Sequence, residues 1–237
     1  MKIFRDSDRD KVLREAMKGL NGCLRENRSK PILLMLSGGS ALELLAGIDM
    51  RWIGKHITVT VLDERFSQDP AVNNFSQLAE TEFYKKAERK GVDYIDTRVH
   101  GKVTLQGLAK KFASGLKKWK RRYLKKGKII ITQGVGQDGH TAGIMGYPAN
   151  PKKFQQLFEN EEKWVVGYTA KGKTQYPLRI TVTLPFLRNE VDCAVVYVTG
   201  FSKERALKRV LAKEGTLART PARIVHEMKG VKLFTDI

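Results

Sequence analysis

The chain has 237 residues, 41% of them hydrophobic, with 44 Lys and Arg against 25 Asp and Glu for a formal net charge of +19. That length suits one α/β domain with a core that needs no covalent staples, and the apolar content excludes wholesale disorder. No apolar run approaches the ~20 residues of a bilayer span, and the N-terminus carries mixed charge without the apolar stretch of a signal peptide.

A soluble, cytoplasmic protein is therefore expected. The positive field favours anionic ligands, from phosphate esters to nucleic acid. Cys23 and Cys193 lie far apart and form no CxxC pair. The expectation for them is two small buried apolar side chains in a reducing compartment, neither a disulfide nor a metal site.

Along the chain, Val12, Ala16, Leu20 and Cys23 recur at helical spacing and predict a helix over 8–26. Residues 31–36 form a continuous apolar run, as in a strand buried on both faces. Ser37-Gly38-Gly39-Ser40 follows, then a short helical stretch at 41–45. Residues 57–62 read as a strand ending at Asp63, and 72–90 as a helix. Leu108, Phe112, Leu116, Trp119 and Tyr123 make one apolar stripe on a helix over 104–124. Residues 128–132 are a strand running into Gly134-Val-Gly-Gln-Asp-Gly-His-Thr141. Strands at 164–168, 180–183 and 193–199 follow, then a helix over 202–213. Strands alternating with helices imply βαβ crossovers. The fold class is a three-layer α/β domain over 1–237, a mainly parallel sheet with helices on both faces. Ligands of such sheets bind beyond the carboxyl ends of the strands.

Three segments sit at such strand ends. Ser37 to Ser40 pairs two glycines with two hydroxyls at a helix start, where backbone N–H groups can face an anion. It lacks the Lys of a P-loop, so no nucleoside triphosphate is implied. Asp63-Glu64-Arg65 puts three charges beyond an apolar strand, with Arg65 suited to an oxyanion and Asp63 or Glu64 to a hydroxyl or a base. In the third, Asp138 and His140 share a glycine-rich loop. Histidine there can take a proton from water, and a neighbouring carboxylate can fix its tautomer. Arg179 and Lys203 are further candidates for a phosphate clamp. His56, His100 and His226 are read as surface or packing residues.

Taken in order, Leu36 to Ser40, Leu62 to Arg65, Asn73-Asn74-Phe75, Gly134 to Ala142, Arg179 to Thr183, Gly200 to Lys203 and Pro221 to Val225 resemble the 6-phosphogluconolactonase family. Its relative is glucosamine-6-phosphate deaminase. The resemblance implies a NagB/RpiA-like domain and an enzyme of the oxidative pentose phosphate pathway. Ser37, Gly38, Gly39, Ser40, Arg179 and Lys203 would face the phosphate, and Asp63, Arg65 and Asn74 the sugar. His140 would be the general base against the lactone carbonyl, with Asp138 beside it. No metal and no organic cofactor are expected.

The deaminase branch carries a glutamate five residues beyond the loop histidine. Here that position is Met145, and His140-Thr-Ala resembles the lactonase branch. The chain departs from the lactonase pattern at Ala41-Leu42, Asn73 and Gly143-Ile-Met145. A different alternative rests on residues 110–128, which hold ten Lys or Arg and no acid. Their apolar stripe reads first as a packed surface helix, with a nucleic-acid-binding protein as the lesser reading.

Overall fold

A computed structural model describes residues 1–237. Seven parallel strands form the main sheet: β1 (Lys2–Arg5), β2 (Ile32–Leu36), β3 (Ile57–Val61), β5 (Asp93–Tyr94), β6 (Lys128–Gln133), β9 (Cys193–Val198) and β10 (Val231–Thr235), in the order β1-β10-β9-β6-β2-β3-β5. Three more, β4 (Asp63–Arg65), β7 (Val165–Thr169) and β8 (Leu178–Val182), form a small antiparallel sheet in the order β4-β8-β7. The helices are α1 (Arg9–Glu26), α2 (Asn74–Ala79), α3 (Glu82–Arg89), α4 (Leu105–Tyr123), α5 (Pro151–Phe158), α6 (Leu184–Glu190) and α7 (Glu204–Leu211), with 3-10 turns between them.

Side chains on a strand alternate between faces, and the two cores follow that alternation. Ile32, Leu34 and Leu36 of β2 join Val59, Val195 and Tyr197 against Val12, Ala16 and Leu20 of α1 and Phe75 and Leu78 of α2. Leu33 and Met35 join Ile129, Ile131, Val196 and Leu233 on the other face, against Phe112 and Trp119 of α4, Phe186 of α6 and Ile180 and Val182 of β8. This is the three-layer α/β arrangement expected, and the apolar strands are continuous because both faces are covered.

The structure corrects several local expectations. Asp63 to Arg65 is not the tail of β3. Leu62 N donates to Leu36 O in the last main-sheet bond, and the chain then turns to pair antiparallel with β8. Arg179 likewise lies in the small sheet. Residues 72–90 split into α2 and α3, because the Thr81 hydroxyl donates to Leu78 O and accepts from Tyr84 N, ending one helix and capping the next. Residues 41–45 belong to a 3-10 helix, Gly39–Gly47, whose tighter winding turns Ala41 and Leu44, three residues apart, inward. Cys23 and Cys193 are bonded as a disulfide, contrary to expectation. They are 170 residues apart in sequence, yet docking of α1 on β9 brings their Cα atoms to 6.7 Å.

Glu64 is fully buried and is the tie between β4 and α2. Its Oε1 accepts from Arg65 N at 2.7 Å and Asn74 N at 2.6 Å, and its Oε2 from Phe75 N at 3.0 Å and Thr97 Oγ1 at 2.8 Å. Burial pushes its carboxyl up to about 7, against the pull of those four donors. Removing the acceptor orphans buried N–H groups, so Glu64→Ala lowers unfolding free energy by at least about 2 kcal/mol in denaturant melts. The folded pKa lies above the ordinary 4.5, so the folded chain holds a proton that the unfolded chain releases. This contribution to stability is full below pH 4.5 and is lost as pH rises through about 7. Glu64→Gln, which does not titrate, should flatten that part of the stability curve. An unchanged slope between pH 5 and 7 would show that Glu64 does not titrate there.

Candidate active site

Neighbouring strands β9, β6, β2 and β3 all run the same way, so their carboxyl ends share one edge. The chain leaves β2 at Ser37, β3 toward Asp63, β6 at Gly134 and β9 toward Lys203. The crossovers from β2 go to β3 on one side, while β6 pairs on the other, so the crevice lies at a topological switch point. A cleft of about 380 Å³ opens there. Its lining includes Ser37, Gly38, Gly39, Ser40, Asp63 and Arg65, and also Asn74, His140, Arg179 and Lys203. The cleft thus gathers every site residue read from the sequence except Asp138, which stands behind His140.

The His140 loop is tightly held. Gln133 Nε2 donates to Thr141 Oγ1, which donates to Gly134 O; Gly136 N donates to His140 O, and Gly139 N to Gly136 O. Asp138 Oδ1 accepts from His140 N at 3.0 Å and lies 2.6 Å from His140 Nδ1. Burial pushes the Asp138 carboxyl up, but the hydrogen bond and charge of His140 outweigh it and bring it down to about 2. Ionised at neutral pH, Asp138 only accepts, so the contact places a proton on Nδ1 and fixes the ring with Nε2 turned away from the carboxylate. Gly136 makes room for this pair: a Cβ there would lie 2.1 Å from His140 Nδ1 and 2.8 Å from Asp138 Oδ1.

Cationic groups converge from the small sheet. Arg65 and Arg179 are Cα partners across β4 and β8. Like charges directly opposite on a sheet repel, so the pair favours an anion between or beside them. Arg179 is 3.6 Å from Asp63 Oδ2 and donates to Tyr176 O and Thr174 Oγ1. Arg65 packs over the Tyr176 ring, and its buried Nε has no partner. Burial raises the Asp63 carboxyl, opposed by Arg179. Lys203 Nζ donates to Ser40 Oγ at 3.1 Å, and burial lowers its ammonium. A Cβ on Gly38 would lie 2.9 Å from Asn74 Oδ1, so glycine is what lets the turn approach α2.

Some outcomes differ from the sequence reading. Glu64 neither holds a hydroxyl nor orients a base; it faces backbone amides below the cleft. Thr174 and Tyr176, in the β7–β8 loop, carried no motif and reach the site only because antiparallel pairing folds that loop back. Gln137 also lines the cleft. The remaining histidines lie apart: His100 faces Asp96 on the surface, and His226 Nε2 is 2.7 Å from Val210 O.

If the packing around Gly136 orients the imidazole, Gly136→Ala should shift the His140 ring in a crystal structure of the variant and leave the melting temperature nearly unchanged. An undisturbed ring would mean the loop has slack.

The fold is shared with solved 6-phosphogluconolactonases. The structure from Trypanosoma brucei matches with a TM-score of 0.75 at 17% identity, covering 99% of this chain and 95% of that one. That from Trypanosoma cruzi matches with 0.73 at 21% identity, covering 99% and 93%. That from Thermotoga maritima matches with 0.70 at 20%, covering 99% and 98%. No curated protein matches significantly by sequence. Residues 7–234 match the model of glucosamine-6-phosphate isomerases/6-phosphogluconolactonase. The chain therefore belongs to the glucosamine-6-phosphate isomerase/6-phosphogluconolactonase family.

Proposed function

We propose that the chain hydrolyses 6-phosphogluconolactone to 6-phosphogluconate, as a carboxylic ester hydrolase of the oxidative pentose phosphate pathway in the cytoplasm. The observation that carries this reading is the convergence in one cleft of an Asp-fixed imidazole with a Ser-Gly-Gly-Ser turn and three cationic side chains. The Ser37 to Ser40 turn, Lys203 and Arg179 hold the phosphate. Asp63, Arg65 and Asn74 contact the sugar hydroxyls.

His140 Nε2 takes a proton from water as the oxygen attacks the lactone carbonyl, and Asp138 stabilises the imidazolium that forms. The tetrahedral oxyanion then collapses, the ring C–O bond breaks, and the proton passes from His140 to the leaving ring oxygen. A δ-lactone is an activated ester, so no covalent intermediate is required. Fixing the phosphate supplies the orientation.

Met145 favours hydrolysis over deamination. It stands where the resemblance places the deaminase's proton-transferring glutamate, and it is buried in the apolar core. The reading predicts lactone hydrolysis above the spontaneous rate and no ammonia from glucosamine 6-phosphate. His140→Ala should lower turnover by at least about 10²-fold. Near-normal turnover would remove His140 from the base role. Lys203→Ala should raise KM for the phosphorylated lactone far more than for unphosphorylated gluconolactone. An equal effect on both would detach Lys203 from the phosphate.

A further inference from the structure

The edge of the main sheet opposite the cleft carries a basic surface that the hydrolytic site does not use. The helices that lead into the amino ends of β2, β5 and β6 finish at that edge, and basic residues there suit the helix dipole. Here they go well beyond one cation per helix. The last turn of α4 presents Arg121 and Arg122, and the turn from it to β6 presents Lys125 and Lys126, all exposed. The turn before β2 presents Arg28 and Lys30, and that before β3 presents Lys55. The end of α3, before β5, presents Lys86, Arg89 and Lys90.

These turns form one surface. Lys128 N donates to Pro31 O and Ile32 N to His56 O, and Lys55 packs over Gly91. Strands β6, β2, β3 and β5 are neighbours in that order, so the row spans about 14 Å across the strands alone. Acidic residues on the same turns are sparse: Glu26, Glu88 and Asp93. From residues 110–128, only Lys120 and Lys128 are drawn into ion pairs, with Glu190 and Asp192.

We infer that this rim binds the phosphate backbone of a nucleic-acid duplex without reading its sequence. Exposed cations on four adjacent turns match a polyanion rather than a small ester. Leu124 is the large apolar side chain exposed on the rim. The apolar face of α4, with Leu108, Phe112, Leu116 and Trp119, is spent on the core. A membrane-surface helix needs such a face free. No aromatic ring is exposed there to stack unpaired bases. Contacts are therefore to phosphates, which position a partner and carry no base information.

The test is fluorescence anisotropy of the full chain on a labelled 20-base-pair DNA duplex between 50 and 200 mM salt. Micromolar binding at the low end is expected, with log K falling against log salt at a slope of about −4 or steeper, ~0.9 per phosphate. Arg121→Glu/Arg122→Glu/Lys125→Glu/Lys126→Glu should weaken binding by at least about 10-fold, and the Gln counterpart by less. Lys171→Glu/Lys173→Glu, in the loop beside the cleft, should retain it. The circular dichroism melt checks that each variant folds. Absence of duplex binding at 50 mM salt overturns the inference. So does an equal loss in the Lys171/Lys173 variant, which would make net charge the cause. Rim-dependent binding to phosphatidylserine vesicles without duplex binding would overturn it in favour of a membrane.

Discussion

Parallel strand pairing is the constraint from which the rest follows. Because β9, β6, β2 and β3 are neighbours running in one direction, four separate turns must leave the sheet at the same edge. Residues separated by more than 160 positions, such as Ser40 and Lys203, then come within hydrogen-bonding distance. The same pairing brings the turns into β2, β3, β5 and β6 to the opposite edge, so the molecule has one edge built of glycine turns and another crowded with lysine and arginine.

The small antiparallel sheet completes what the main sheet begins. It takes the chain at Leu62 away from β3 and pairs Arg65 with Arg179 beside the cleft. Glu64, between two cleft residues in sequence, points the other way and anchors the start of α2. One strand thus supplies both a site and its support, because successive side chains on a strand face opposite sides. Asn74 is held at the cleft by its backbone amide on the Glu64 carboxyl and by its side-chain amide on Asp63 O.

Charge is divided unevenly between these surfaces. In the cleft the cations are few, buried or half-buried, and opposed by Asp63, in keeping with the small anion proposed there. Along the far rim they are many, exposed and mostly unpaired, an arrangement for an extended one. A net charge of +19 is summed over the whole chain and cannot distinguish these surfaces.

Much of the molecule was legible in the residues themselves. The continuous apolar run of β2 announced a strand covered on both faces, and the stripe from Leu108 to Trp119 announced α4, since periodicity is a local property. The glycine spacing around His140 marked a tight loop, and Gly136 proves to be where a side chain would strike the imidazole. Local pattern misled on the cysteines, which were expected to be free, because contact between Cys23 and Cys193 depends on α1 docking against β9. It was silent on Thr174, which lines the cleft, and on Tyr176, which contacts Arg65 and Arg179, both brought there by antiparallel register. It also misjudged Glu64, whose role depends on which face of a three-residue strand meets α2. Secondary structure, the strand-end turns and the loop that holds His140 against Asp138 were determined by the chain's own order. The orientation of Glu64, the second sheet and the continuity of the basic rim were decided only by tertiary packing, because each requires segments distant in sequence to share one edge or face.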